Sequence, residues 1–337
     1  MPLVERRIQK LLQWCALNGI TVSERVQVVA DGDTIAVRAV KDIVENTPLA
    51  TIPKHAVIST RTSRVSHLFP DTVDRQSPFV LATVLMIELN DGLLSPFYGY
   101  LQSLPEHVPI AHLWVSESIE ISMLKGTPAH DLITSKGVLA NALRYLHDEV
   151  TPLMHQLLEE DLDAEWDDQR LEVDYLRAYS LVSSRAFLVD AFHGLAMVPI
   201  ADGFNHTMVH NVQMETDYHV CAECGSLFEC GHDDFPSTDD RTLFEETESR
   251  SEIDTCDMMS ARAISAGEEV FNTYSDGKPM SNSALLAEYG FVLPGNGSSS
   301  VSGERFVQIQ ASLSASSMNI ELALSYLEYE TTIGAAS

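Results

Sequence analysis

The chain has 337 residues, 45% of them hydrophobic, enough to bury a sizeable core and unlike a small stapled scaffold. Its 49 acidic against 21 basic residues give a formal charge of −28, which opposes nucleic acid and anionic membranes and favours a basic protein partner. No apolar run is long enough to span a bilayer, and MPLVERRIQKLLQWC lacks the apolar core and cleavage site of a secretory signal, so a cytoplasmic and/or nuclear protein is expected; a monomer is expected as well.

Val4, Ile8, Leu11, Leu12 and Cys15 recur at helical spacing, with Gly19 where a C-terminal cap glycine is common. The chain therefore opens with an amphipathic helix that buries Cys15. From Val26 to Val57 the pattern shifts to short β-like runs, RVQVVA, TIAVRAV and PLATIP, punctuated by Asp31-Gly32-Asp33 and Glu45-Asn46; these predict a small antiparallel sheet with tight turns. A helical block begins with LATVLMIEL and breaks at Asn90-Asp91-Gly92, and SPFYGYLQSLPEHVP reads as an irregular, aromatic-rich connection. Leu139, Leu143, Leu146, Val150, Leu153 and Leu157 step alternately by four and three, predicting a long amphipathic helix with a kink or break at Pro152.

Beyond that helix, SLVSSRAFLVD leads to LAMVPIADGFNH, an apolar strand running into polar chemistry. Residues 233–254 are dense in acidic and hydroxyl side chains and read as a mobile surface insertion. MMSARAI and EEVFNTY predict two strands around an Ala266-Gly267 turn, and GNGSSSVSG predicts a flexible linker. FVQIQ suits a further strand, and Ile320, Ala323, Leu324 and Leu327 mark a short helix.

Three segments carry a more specific signal. Pro199-Ile200-Ala201-Asp202-Gly203-Phe204-Asn205-His206 ends a strand in D-x-x-N-H; Gly267-Glu268-Glu269-Val270-Phe271-Asn272-Thr273-Tyr274 is followed by Ser281-Asn282-Ser283-Ala284-Leu285-Leu286; and Glu288-Tyr289-Gly290-Phe291-Val292 contains Y-G-F. In this order and spacing they resemble the SET-domain protein methyltransferases, in the branch typified by the Rubisco large-subunit methyltransferases and their fungal and animal relatives. Trp14, Ile52-Pro53, SPFYGYLQSLP, Trp114 and Ser184-Arg185-Ala186-Phe187 extend the likeness over most of the chain.

The resemblance implies an α+β chain, a SET fold of small β-sheets with a C-terminal pseudoknot, interrupted by a mostly helical insertion. It divides the chain into an N-terminal helix (1–25), a first SET half (26–80), a helical insertion (81–180) and a second SET half (181–295) carrying a Cys-rich acidic insertion (215–255). Residues 296–337 are then a linker and the remnant of a C-terminal substrate-binding region. Two features depart from the family pattern. Glu45-Asn46-Thr47-Pro48 stands where relatives carry a Gly-Glu or Asn-Glu pair, and the sequence ends soon after Y-G-F, where relatives continue into a helical domain.

The activity implied is SAM-dependent protein-lysine N-methylation of a non-histone protein, ribosomal or translation-related proteins being a reasonable class. Protein-histidine methylation and a catalytically silent SET-fold peptide-binding module are the alternatives. By the same resemblance, Tyr274 and Tyr289 are the candidate catalytic residues, with Tyr274 orienting the amine and Tyr289 lining the channel. Ser184, Arg185, Asp202, Asn205, His206, Tyr274 and Phe291 are candidates for binding S-adenosylmethionine. Taken singly, Asn205 suits a turn cap, His206 a satisfied core histidine, Tyr274 a packed core phenol, and Arg185 an internal ion pair. Water is the expected proton acceptor.

The five cysteines are an odd number, and Cys221, Cys224, Cys230 and Cys256 crowd one region, which suits metal or free thiols better than a disulfide framework. Cys221-Ala222-Glu223-Cys224 followed by Cys230 and His232 resembles a zinc knuckle, with Cys256 as an alternative fourth ligand; an exposed loop of unbound thiols is the other reading. The acidic residues Asp233, Asp234, Asp239, Asp240, Glu245, Glu246 and Glu248 are either a solvated face or an attractor for a basic substrate.

Overall fold

The computed structural model describes residues 2–32, 34–159, 168–232, 254–274, 279–293 and 296. The opening helix α1 (Leu3–Leu17) buries Ile8, Leu11 and Cys15 on one face. It ends at Asn18, and Gly19 turns the chain at a φ of +74°. A two-residue strand, β1 (Thr21–Val22), leads into the hairpin of β2 (Val26–Asp31) and β3 (Thr34–Ala39), paired from Val26↔Ala39 to Asp31↔Thr34.

Strand β4 (Pro48–Pro53) leaves that hairpin and joins a different sheet. Its neighbours there are β1 on one side and, on the other, a strand that follows about 200 residues later. Asn46, held at a φ of 60°, makes the turn before it, its N–H donating to the Ser260 carbonyl at 2.8 Å.

Helix α2 (Pro78–Asp91) starts with proline at its first turn and is buried almost all round, from Val80 to Glu88. The buried Glu88 carboxylate accepts hydrogen bonds from the Ser63 and Ser95 hydroxyls. The connection after it contains a one-turn helix, α3 (Tyr98–Leu101), seated on α1 so closely that a Cβ at Gly99 would lie 2.2 Å from Trp14 Cβ. Short helices α4 (Ile119–Met123) and α5 (Pro128–Lys136) precede α6 (Val138–Tyr145). The long apolar stripe is then interrupted: a π-helical turn, Leu146–Val150, separates α6 from α7 (Thr151–Glu159). The backbone stays helical through this turn, and Pro152 follows it by two residues, so the widened turn accommodates the missing N–H. Helix α8 (Asp168–Arg185) packs along α2.

The remaining strands are β5 (Ala186–Asp190) and β6 (Gly194–Met197), an antiparallel hairpin, then β7 (Val212–Thr216) and β8 (Thr255–Ser260). The larger sheet is antiparallel with order β1-β4-β8-β7. In β8 the alternation buries Cys256, Met258 and Ser260. Helix α9 (Asn282–Tyr289) is capped by the Ser281 hydroxyl, which accepts from the Ala284 N–H at 3.2 Å, and ends at Gly290 in the left-handed region.

EEVFNTY does not form the strand its composition suggests. Its backbone groups are shared among three partners: Val270 N–H donates to Val37, the Phe271 carbonyl accepts from Asn211 and Val212, and Asn272 pairs with Asn205 and Thr207. LAMVPIADGFNH likewise stops being a strand at Met197, because Ile200 takes a φ of +71° and opens a tight turn at Ala201–Gly203. FVQIQ, the helix at Ile320–Leu327 and the acidic insertion up to residue 253 lie outside the described residues.

Candidate active site

Two segments meet where the sequence motifs predict a site. His206 and Asn272 form a parallel bridge; the Asn272 N–H donates to the Asn205 carbonyl at 2.9 Å and the Thr207 N–H to the Asn272 carbonyl at 3.1 Å. The 199–206 segment reaches this crossing through the bend at Ile200. A β-branched residue at positive φ costs about 1–3 kcal/mol, held here by the burial of Ile200 and by the turn bond from Gly203 N–H to the Ile200 carbonyl. Asn211, 1% exposed, fixes the other segment: its side-chain amide donates to the Glu269 carbonyl at 3.1 Å and its oxygen accepts from the Phe271 N–H at 2.7 Å.

Four rings collect at the crossing. Tyr274 stacks on His206 with centroids 5.0 Å apart and on Tyr289 at 4.8 Å, both at 28°. Phe291 lies 6.3 Å from both His206 and Tyr289. The C-terminal end of α9 delivers two of these rings. Gly290 has a φ of +75° and lies so close to the Pro109 carbonyl that an added Cβ would sit 2.9 Å from its oxygen. Asn282 then clamps the segment, its side chain donating to the Leu293 carbonyl at 3.2 Å and accepting from the Leu293 N–H at 2.9 Å.

The titration states follow from burial. Burial pushes the Tyr274 phenol up to about 12, so it stays protonated at neutral pH, its hydroxyl donating to the Phe204 carbonyl at 3.3 Å. Tyr289 donates to the Tyr274 carbonyl at 3.3 Å. Burial, with a lesser contribution from His210, lowers His206 to about 4. Its Nδ1 accepts from the Tyr274 N–H at 3.0 Å, which leaves the hydrogen of the neutral ring on Nε2.

A buried ionic cluster involves the same motif residues. Asp202 accepts from the Tyr100 hydroxyl at 3.0 Å, and the Arg185 guanidinium donates to the Asp202 carbonyl at 3.0 Å, to its carboxylate at 3.4 Å and to Thr34 Oγ1 at 2.9 Å. Burial raises the Asp202 carboxyl above the usual range despite Arg185 beside it, and raises Tyr100 well above its ordinary value.

The other candidates are placed as follows. The Ser184 hydroxyl turns back to the Ser180 and Leu181 carbonyls of its own helix, so it presents no free donor to a ligand. The Asn205 amide donates to Glu269 at 2.9 Å and to Asp31 at 3.4 Å. Arg185 makes the internal ion pair. Cys256 is buried in β8 with its thiol facing Thr216, so it is not a ligand alongside the other three cysteines. Tyr100, Thr34 and Asn211 were not singled out from the sequence; each acts through a partner more than fifty residues away.

Three buried polar atoms among these residues have no hydrogen-bond partner: Asp202 Oδ1, Arg185 Nε and His206 Nε2. Buried polar atoms normally find partners, so these three retain hydrogen-bonding capacity that a polar ligand could use. Two donors and a carboxylate oxygen suit a ligand carrying both carboxylate and amine, and the ring faces suit a cation such as a sulfonium or an ammonium. The residues present therefore fit S-adenosylmethionine.

Among solved structures, the SET domain of LSMT bound to lysine and AdoHcy superposes with a TM-score of 0.61 at 21% identity, covering 87% of this chain and 58% of that one. The chain has the SET fold. Rubisco LSMT bound to sinefungin and monomethyllysine gives a TM-score of 0.57 at 20% identity, over 86% of this SET chain and 56% of that one. In sequence, the SET chain is 28% identical over 305 residues to N-lysine methyltransferase setd6 of Salmo salar, covering 85% of this chain and 58% of the relative. It is 24% identical over 324 residues to ribosomal lysine N-methyltransferase 3 of Saccharomyces cerevisiae, covering 78% and 57%. No protein-family model matches. The chain thus spans less than two thirds of the length of these relatives.

Proposed function

We propose that this SET chain is a SAM-dependent protein-lysine N-methyltransferase acting on a non-histone protein, and that it takes its target lysine from a basic segment. The observation that carries the reading is the cage of His206, Tyr274, Tyr289 and Phe291 at the crossing of two distant segments. The names of two relatives, one for ribosomal lysine and one for a lysine of fructose-bisphosphate aldolase, support a non-histone substrate. A net charge of −28 supports a basic one.

Bound at this site, S-adenosylmethionine supplies a methyl group activated by a sulfonium charge. The protein's part is positioning and charge. Ring faces hold a cation by about 0.5–2 kcal/mol without supplying a carboxylate that would keep an ammonium ionised. A desolvated lysine beside a sulfonium loses its proton more readily than in water. The cage itself offers no base: the Tyr274 phenol is protonated, and the neutral His206 has its lone pair on Nδ1 engaged by the Tyr274 N–H. The proton therefore leaves to water, and the Tyr274 hydroxyl, turning from Phe204, orients the amine.

Labelled S-adenosylmethionine incubated with the protein and a lysate, followed by mass spectrometry of the labelled site, tests this directly. Label on a lysine Nε is expected with the native chain, and Tyr274→Phe should bind the methyl donor by calorimetry while transferring little. Label on a histidine would reassign the acceptor. Absence of donor binding would remove the enzymatic reading.

A further inference from the structure

A second constellation lies in the loop that follows β7. The ligand atoms of Cys221, Cys224, Cys230 and His232 all lie within 4.8 Å of one another. His232 Nδ1 is 3.7 Å from the Cys221 sulfur and 3.6 Å from the Cys230 sulfur. A tetrahedral ion with Zn–S near 2.3 Å and Zn–N near 2.0 Å requires S···N separations of about 3.5 Å and S···S separations of about 3.8 Å. The two S···N separations are already close to that value, and the remaining ligand atoms lie within an ångström or so of theirs. We propose that Cys221, Cys224, Cys230 and His232, the last through Nδ1, form a structural zinc site.

The local backbone suits it. The turn closes with the Gly225 N–H donating to the Cys221 carbonyl at 2.8 Å and the Cys221 N–H to the Ser226 carbonyl at 2.9 Å. Gly225 is required twice, by its φ of +74° and by the Phe192 ring, 2.9 Å from any Cβ added there. Cys230 and His232, one residue apart, supply the other two ligand atoms.

Four protein ligands leave no open position, so the ion holds structure and performs no chemistry. What it holds is specific. Arg75 donates to the Ala222 carbonyl at 3.3 Å, and the Ala191 N–H donates to the Tyr218 carbonyl at 3.2 Å. Phe192, against Gly225, also carries the Arg61 guanidinium 4.8 Å from its ring centroid. The zinc thus fastens the loop after β7 onto the β5–β6 turn. This inference does not depend on methyl transfer.

The test begins with full-length protein purified without chelator under reducing conditions. Elemental analysis should find one zinc per chain. Cobalt exchanged into that protein should give thiolate-to-cobalt charge-transfer bands and the intense d–d absorption of a tetrahedral centre. Cys224→Ser should lower the metal content well below stoichiometric, whereas Cys15→Ala should leave it intact. Chelation should lower the melting temperature of the native chain but not that of Cys224→Ser, whose circular dichroism shows whether it has folded. Native protein that stays substoichiometric after zinc reconstitution, a six-coordinate cobalt spectrum, or a Cys221–Cys224 disulfide under these conditions would overturn the site. The cobalt spectrum needs no variant, so misfolding of Cys224→Ser cannot mask the outcome.

Discussion

Two buried ionic centres among the described residues are finished differently. Lys54, 3% exposed, donates to Asp190 at 2.8 Å, to Asp254 at 2.7 Å and to the Asp217 carbonyl at 2.9 Å, which uses all three ammonium hydrogens. Asp190 also accepts from the Phe192 and His193 N–H groups and from the His193 ring. Burial works against both charges, but the partners outweigh it: Lys54 is raised, and Asp190 is held well below the usual carboxylate range. The Asp202–Arg185–Tyr100 centre is also buried but leaves Asp202 Oδ1 and Arg185 Nε without partners; burial raises its Asp202 carboxyl, as it does Asp254 in the first centre. The saturated centre is a clasp; the unsaturated one retains hydrogen-bonding capacity, which the proposed methyl-donor site would use.

The largest effect that would sharpen this contrast is on stability. Lys54→Met leaves Asp190 and Asp254 facing each other without their cation and should cost about 3–5 kcal/mol in urea unfolding. The residual folded fraction should keep its methyl-donor affinity, and a loss of donor binding per folded molecule would break the division between clasp and site. Next is Tyr274→Phe, which removes one hydroxyl bonded at 3.3 Å and should leave stability within about 1 kcal/mol while lowering turnover by about 10²–10³-fold. Equal turnover would reject Tyr274 as the orienting group.

The pH dependence of His206 comes third. Its pKa is depressed in the folded protein, to about 4 from 6.5, so the unfolded chain takes up its proton first. The stabilisation is complete above pH 6.5 and is lost as pH falls through the window down to about 4. This group alone contributes on the order of 3 kcal/mol to that loss. His206→Gln should flatten the profile in that window, read as the difference from the native chain in chemical denaturation at each pH. The smallest effect is that of Ser184→Ala. Its hydroxyl serves only its own helix, so stability should change by less than about 1 kcal/mol and calorimetric donor affinity should not move; a weakened affinity would return Ser184 to the ligand's contacts.

Much of the site was legible because its chemistry is written in short, ordered motifs: D-x-x-N-H, G-E-E-V-F-N-T-Y and Y-G-F supply His206, Tyr274, Tyr289 and Phe291, all four of which share the cage. Residues that position them were not. Asn211 is a single amide whose work is done on backbone 58 residues along the chain, and Tyr100 sits in a segment that reads as an irregular connection. β4 shows the same limit for the fold. PLATIP reads correctly as a strand, yet its composition could not reveal that its partner is β8 rather than the adjacent hairpin.

Local pattern determined what is local: the buried face of α1, the β2–β3 turn, the interruption near Pro152, the C-x-x-C-G knuckle and the identity of the ring-bearing motifs. Tertiary structure decided which of those elements meet. It alone showed that Asn205 and Asn272 bond backbone to backbone, that Arg185 is committed to Asp202, and that Cys256 belongs to the core while His232 completes the cysteine cluster. The physical reason is that periodicity and turn chemistry act over a few residues. Pairing of distant backbone and saturation of a buried charge depend on which groups the whole chain brings within hydrogen-bond distance.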